Sequence, residues 1–458
     1  MDINALVSKQ KEYFGSGMTR PYAFRKEMLS RLALALEKWE EPLLAALEED
    51  LGKHRSEGYM CEVGLVQDEL RFCRRRLKGW MRDKYVMPAV AQMPSVCKVG
   101  AEPYGEVLIV SPWNYPVLLT LEPLIGALAA GNTAVIKPSS YSPECSQTIA
   151  DMIGETFPEK YVAVVQGGRE ENAALFSQDF DYIFFTGSVE VGKAVMRAAS
   201  ENLTPVTLEL GGKSPVIVDE TADIKLAAKR VAFGKVVNAG QTCVEPDYLL
   251  IHEDVRDRFI EEFGKVMDRF FPGGDYLDMA HIVNEKHFSR ICGLMEGQEI
   301  ALGGGTDPET LFIEPTLLVN VDPESPVMKE EIFGPLLPVI TYRELGEAID
   351  FVRERPKPLA LYLFTQDRLT RETVLDRCQF GGGCVNDVLL HLCSSRMPFG
   401  GVGASGMGSY HGRKSFDTFS HHRSIMRSST CIDVPLRYMP YSETVFRMLK
   451  FIFSGKVK

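Results

Sequence analysis

A chain of 458 residues is longer than one hydrophobic core supports, and two or three domains are expected. Hydrophobic residues at 45% and charged residues at 25% are ordinary for a globular protein, while a net charge of −11 argues against nucleic-acid binding, which runs on Lys and Arg neutralising phosphate. The amino terminus lacks the long apolar run of a secretory signal, and no stretch approaches the roughly 20 apolar residues of a spanning helix, so a cytoplasmic protein is expected.

Residues 22–53 keep Leu, Ala and Trp at three- and four-residue spacing between charges. That period predicts one amphipathic helix, or two broken at Pro42, ending near Gly52. A second helical pattern runs from Glu57 to about Lys84. "MPAVAQMPSVCKVGAEPYG" then loses the period and reads as a strand or arm leaving the domain. From residue 104 short apolar runs ("EVLIVSP", "TAVIKPS", "YVAVVQGG", "YIFFTGS") alternate with helical patterns such as "LLTLEPLIGALAAG" and "ECSQTIADMIGETF". This texture predicts a doubly wound parallel sheet. It restarts after residue 209 with "SPVIVD", "IKLAAKRVAFGKVVNAG" and "DYLLIHEDV", so a second α/β domain is expected.

The ten cysteines contain no Cys-x-x-Cys pair, and reduced, mostly buried thiols are expected for nine of them, with no metal site. The tenth, Cys243, stands in "NAGQTCVEPD" and is either a core thiol or a sulfur held out for chemistry. Glu209 in "LELGGKSP" lies between two leucines, so it faces solvent or has a raised pKa, as a general base near neutral pH needs. Asn114 in "SPWNYP" is held between two prolines at a strand end, as a turn-stabilising amide or a donor to a developing oxyanion. "FTGSVEVGKAV" places Gly187 and Gly192 where a strand turns into a helix, an arrangement that serves either tight packing or approach to a phosphate.

These motifs, with Lys137 in "KPS", Glu331 and Phe333 in "EEIFGP" and "PFGGVGASGMGSYHG" from residue 398, occur in one order that closely resembles the NAD(P)-dependent aldehyde dehydrogenases. "GSYHGRKSFDTFSHHRS" and the short amino terminus resemble the class 3 branch of fatty and aromatic aldehyde dehydrogenases. The resemblance covers nearly the whole chain. It implies a Rossmann-type cofactor domain (1–81 and 101–208), an α/β catalytic domain (209–396), a bridging oligomerisation arm (82–100 and 417–436), a tail (437–458) and a homodimer. It also implies that Cys243 attacks an aldehyde, that Asn114 and the Cys243 N–H hold the oxyanion, and that Glu209 activates water to release the acid. Trp113, Lys137, Ser140, Gly187, Ser188, Val191, Gly192, Glu331 and Phe333 are the implied contacts to NAD or NADP. The glycines of "PFGGVGASGMGS" are expected to allow close backbone packing near the site.

The rival activities are transfer of the thioester to coenzyme A, against which Glu209 speaks, and a structural relative without chemistry, against which the presence of Cys243, Glu209 and Asn114 together speaks. Two departures stand out: Ser140 replaces a glutamate that many relatives use to hold the adenosine ribose, and the tail carries Phe446, Leu449, Phe451 and Phe453. The tail is too short to span a membrane, and docking on its own dimer is favoured over peripheral membrane contact. Tyr115, Leu119 and the run "VLLHLCSS" are expected at the substrate entrance.

Overall fold

The computed structural model describes residues 2–454. Its first helical pair is Tyr22–Lys38 and Glu40–Leu51, divided at Trp39 rather than at Pro42. Pro42 lies in the first turn of the second helix, where a missing N–H costs nothing because those donors have no intrahelical acceptor. Gly52 closes that helix in the left-handed conformation at φ 65°. The next helical run passes through a π-helical turn at Tyr59–Val63 and ends at Trp80, short of Lys84. Beyond it "MRDK" offers no apolar stripe to bury, and Lys84–Val86 instead pairs with the long strand Ser95–Pro103. Ser420–Ser428 flanks that strand on its other side, giving a three-stranded antiparallel arm.

A six-stranded sheet has the spatial order Gly406–Met407, Val206–Leu210, Tyr182–Gly187, Glu106–Val110, Thr133–Lys137, Val162–Val164. The last five are parallel. Chain order runs outward in both directions from Glu106–Val110, so the topological switch lies between it and Tyr182–Gly187. Ligands of doubly wound sheets occupy the crevice at the carboxyl ends of such strands. That crevice is bounded here by residues 111–114, 137–140 and 187–192.

A seven-stranded sheet follows, with Pro215–Val218, Tyr248–His252 and Leu336–Tyr342 near its centre and one antiparallel edge strand, Glu299–Leu302. From its far edge the chain crosses back through "PFGGVGASGMGSYHG" to pair Gly406 with Glu209. A Cβ on Gly401 would lie 2.1 Å from the Ser405 carbonyl oxygen, and one on Gly406 2.3 Å from that of Leu208. This is the close backbone packing expected of those glycines.

Helix Leu118–Ala130 is buried on every side, against the sheet and against the helices at 22–38 and 64–80. Its amino end is held by Glu62, whose carboxylate accepts from the N–H groups of Val117 (2.8 Å) and Leu118 (3.2 Å). The same carboxylate pairs with Lys53 at 2.6 Å, both side chains fully buried. All ten cysteines are free thiols; Cys73, Cys97, Cys145 and Cys378 are buried, while Cys393 and Cys431 are exposed, so burial is less general than expected.

Candidate active site

The residues just before Cys243 adopt a conformation that L-amino acids avoid. Asn238, Ala239 and Gly240 are consecutive left-handed residues, with φ of 52°, 51° and 71°. For residues other than glycine that conformation costs about 1–2 kcal/mol each, so the surroundings must hold it. Asn238 Nδ2 donates to the carbonyls of Asn114 (2.8 Å) and Gln241 (3.0 Å), and its N–H donates to Glu57 at 2.8 Å. Gln241 Nε2 donates to the carbonyls of Asn238 and His281, both at 3.0 Å. Glycine is required at 240, where a Cβ would lie 2.4 Å from the Gly334 carbonyl oxygen.

The same network fixes Asn114. Its carbonyl accepts from Lys53 Nζ at 2.8 Å, and its Nδ2 donates to the Gln241 carbonyl at 2.9 Å. A side-chain amide has two N–H donors, and this bond uses one. Tyr115 OH lies 2.7 Å from Thr242 Oγ1, tying the Asn114 loop to the residue before Cys243. The structure therefore brings Asn114 and the Cys243 turn together through three separate links.

Cys243 lies in the wall of a narrow cavity of about 110 Å³. Tyr115, Leu119, Leu389, Leu390, Leu392 and Cys393 line it too, so the expected entrance residues are there. Burial pushes the Cys243 thiol pKa well up, and the Glu331 and Glu209 carboxyls push it further, while its own N–H and that of Val244 work the other way. At rest this sulfur is a neutral thiol, and attack needs a base to take its proton. Glu209 does not face solvent: it is 2% exposed, neither carboxyl oxygen has a hydrogen-bond partner, and burial raises its pKa well above the usual carboxylate range.

The residues expected at the cofactor border the crevice. Gly187 ends the strand Tyr182–Gly187, and Ser188 caps the following helix by accepting from the Val191 N–H at 3.4 Å. A Cβ on Gly187 or Gly192 would meet the Phe185 ring or the Leu210 side chain, each at 2.7 Å, so both glycines allow close packing under an open helix start. Val191 stays exposed beside it. Lys137 is buried, its ammonium donating to the Pro138 carbonyl at 2.7 Å, and burial lowers its pKa. Ser140 is exposed three residues on.

Glu331 has a buried carboxyl oxygen without a partner, and burial with the nearby Asp247 raises its pKa to about 8. A Cβ on Gly211 would lie 2.1 Å from its Oε2, so Glu331 lies directly over the segment that follows Glu209. Phe333, at φ 49°, packs edge-on to Trp113 with ring centroids 5.4 Å apart. An unpaired acceptor, two glycines and an aromatic pair around the crevice fit a dinucleotide.

Sequence reasoning missed residues that support this face. Arg290 donates to the carbonyls of Glu331 (3.3 Å) and Ile332 (2.7 Å), fixing the "EEIFGP" loop, and His287 packs against Trp113 at 5.5 Å. Their i, i+3 spacing on helix Glu285–Met295 puts them on one face, but no local motif marks it. Among the described residues no group of three or more His, Cys, Asp or Glu side chains forms a metal site.

A thiol in the wall of an apolar cavity, beside the crevice of a doubly wound sheet, fits an oxidoreductase that uses a dinucleotide. The model of the aldehyde dehydrogenase family matches residues 1–425, and the chain belongs to that family. It is 48% identical over 451 residues to "4,4'-diaponeurosporen-aldehyde dehydrogenase" of Staphylococcus aureus, covering 97% of this chain and 98% of the relative. It is 42% identical over 444 residues to "Aldehyde dehydrogenase, dimeric NADP-preferring" of Canis lupus familiaris, covering 96% and 98% respectively. The solved substrate-bound state of Staphylococcus aureus AldH matches with a TM-score of 0.97 at 47% identity, over 99% of this chain and 100% of that one. The reaction is NAD- or NADP-dependent oxidation of aldehydes to carboxylic acids.

The electrostatics generate a prediction for the free protein. Alkylation of Cys243 by iodoacetamide, followed by peptide mass spectrometry, is expected to be slow at pH 7 and still accelerating above the ordinary thiol value of about 8.5. Glu331→Gln should speed it at any one pH. A rate already level below pH 8 would contradict the reading of a neutral resting thiol.

Proposed function

We propose that Cys243 is the nucleophile, Asn114 an oxyanion donor and Glu209 the base that activates water. The observation that carries this reading is a buried carboxyl without hydrogen-bond partners, Glu209, whose charge acts on the Cys243 thiol. The Cys243 sulfur adds to the aldehyde carbon, and the thiol proton passes to a base. The resulting oxyanion is held by the free N–H of Asn114 Nδ2 and the Cys243 N–H, where one donor is worth about 10²–10³ in rate. Trp113, Glu331 and Phe333 would hold the nicotinamide of NAD(P), which would supply the hydride acceptor, and Cys243 would be left carrying a thioester. Water deprotonated by Glu209 adds to that thioester, the C–S bond breaks, and acid and thiol are released. Water rather than coenzyme A is the favoured acceptor because Glu209 is available for no other partner.

The cofactor contacts are assigned as Lys137 and Ser140 at the adenosine ribose, Gly187, Ser188, Val191 and Gly192 at the pyrophosphate and adenosine, and Trp113, Glu331 and Phe333 at the nicotinamide end. Ser140 follows the strand whose end normally supplies the ribose-binding acid. A hydroxyl there does not repel a 2′-phosphate, and the Lys137 cation lies close by. The Glu171 charge acts on Lys137 and is the rival acid for the ribose. The enzyme is therefore assigned to both NAD and NADP.

The first 81 residues with 101–208 form the cofactor domain, 209–396 the catalytic domain, and 82–100 with 417–436 the arm of a cytoplasmic homodimer. Support comes from the arm's outer strand, whose residues after Ser420 are exposed along the sheet edge. The tail helix Glu443–Phe453 lays Val445, Phe446 and Leu449 along a groove with Met93 and Ile432 of the arm, while Phe451 remains 85% exposed. Continuity with the arm assigns that surface to the dimer. The apolar cavity suits an aldehyde with an apolar stem, and the Staphylococcus aureus relative is named for 4,4'-diaponeurosporen-aldehyde.

Cys243→Ala is expected to lose turnover while still binding cofactor, and Glu209→Gln to stall after hydride transfer. In Glu209→Gln an acyl adduct should accumulate on Cys243 by mass spectrometry; rapid turnover without adduct would remove Glu209 from the role. In the native enzyme kcat should rise with pH through a value above the ordinary carboxylate range, because the base must lose its proton first, and Glu209→Gln should abolish that rise. For the cofactor, Ser140→Glu should shift kcat/KM toward NAD. A native enzyme already blind to NADP would refute the assignment of Ser140.

A further inference from the structure

The substrate cavity contains charged groups that the proposed mechanism does not use. Glu122 sits on helix Leu118–Ala130, amid apolar neighbours, and is 6% exposed. His411, 4% exposed, follows the glycine-rich crossing and brings Nε2 to 3.4 Å from Glu122 Oε2. Both line the cavity that holds Cys243, as does Asp68. The His411 ring stacks on Phe399 at 5.4 Å, and its Nδ1 is buried without a partner. Behind it Glu69 accepts from the Gly412 N–H at 2.8 Å, and its second oxygen is also without a partner.

Two features decide what this pair can do. First, it lies in a mostly apolar cavity, whose lining includes Leu118, Phe233, Val237, Leu389 and Phe399. Second, its charge is unbalanced: two carboxyl groups, Glu69 and Glu122, act on the one His411 imidazole, while Asp68 at the rim is paired with Arg71. An apolar chain end placed there strips water from a carboxylate and returns no hydrogen bond. A second carboxylate adds repulsion at low dielectric. A hydroxyl offers both a donor and an acceptor, matching a carboxylate and an imidazole side by side.

We propose that Glu122 and His411 form a distal subsite that receives a hydroxyl at the far end of the aldehyde and turns away a carboxylate there. The subsite rests on the assignment of Cys243 as the point of attack, and it defines the substrate as an apolar stem with a polar, uncharged tip. The competing role of the pair is to tie helix Leu118–Ala130 to residues 410–412, which affects folding but not the choice among substrates. Glu69 tunes the subsite: burial and the Glu122 charge raise its pKa to about 7, so it gains negative charge as pH rises through neutrality. Although burial opposes it, the neighbouring Glu122 raises the His411 pKa and favours the imidazolium.

The test compares kcat/KM for straight-chain aldehydes of matched length ending in methyl, hydroxymethyl or carboxylate, over a series of lengths. At the length that reaches the pair, the hydroxyl series should exceed the methyl series by about tenfold and the carboxylate series by about 10²-fold. The hydroxyl-to-carboxylate ratio should grow between pH 6 and 8 as Glu69 ionises, and should shrink at least tenfold in Glu122→Gln. A ratio is unaffected by partial loss of folded enzyme, and the native measurement stands without the variant. Turnover of all three series without discrimination at any length overturns the subsite alone. Absence of turnover with every series overturns the assignment of Cys243 and the subsite with it.

Discussion

The buried Lys53–Glu62 pair is the constraint on which the rest of the site depends. Taking both charges out of water costs several kcal/mol per ion unless every remaining donor and acceptor is used. Here they are used: Glu62 takes the first N–H groups of helix Leu118–Ala130, and Lys53 gives a bond to the Asn114 carbonyl while lying 4.0 Å from the Tyr115 ring centroid. The pair therefore sets where the helix begins and where Asn114 points. Asn238 and Gln241 carry that placement across to three left-handed residues and so to Cys243. Cys243 and Asn114 follow from different sheets, yet one hydrogen-bonded network positions both.

The same burial that holds the geometry sets the resting chemistry. Cys243, Glu209 and Glu331 all have raised pKa values because water is excluded, and neighbouring carboxylates raise those of Cys243 and Glu331 further. A thiol kept neutral in an apolar cavity is protected from alkylation and oxidation until a substrate and a base are in place. Glu209, once ionised, is a stronger base than a solvated carboxylate. Glu331 lies over Gly211, between the catalytic strand and the cofactor crevice, so the charge state of one side bears on the other.

"GQTC", "LELGG" and "PWNYP" each allowed two readings alone, and their order along the chain is what singled out Cys243, Glu209 and Asn114 as candidates, while "FTGSVEVGK" marks a strand turning into a helix. The alternation of apolar runs and helical patterns also located four strands of the six-stranded sheet, missing Val206–Leu210 and Gly406–Met407. What local pattern did not contain was long-range contact. Pro42 drew the helix break to itself although a first-turn proline breaks nothing, and the real break at Trp39 has no composition signal. Lys53 and Glu62 fall inside helical patterns that mark neither of them; their pairing and their reach to residues 114–118 exist only in three dimensions. Glu122 was hidden within an apolar helix, and His411 within a motif read only for its glycines.

The central claim is that this network, rather than the local motif alone, positions Cys243. Asn238→Ala tests it most directly, because it removes the side-chain bonds to the Asn114 and Gln241 carbonyls without touching substrate. The account predicts a fall in kcat on the order of 10²-fold, the scale of a displacement of about 1 Å at a reacting centre, with cofactor affinity and thermal midpoint little changed. A kcat within twofold of the native enzyme in a folded Asn238→Ala protein would contradict it.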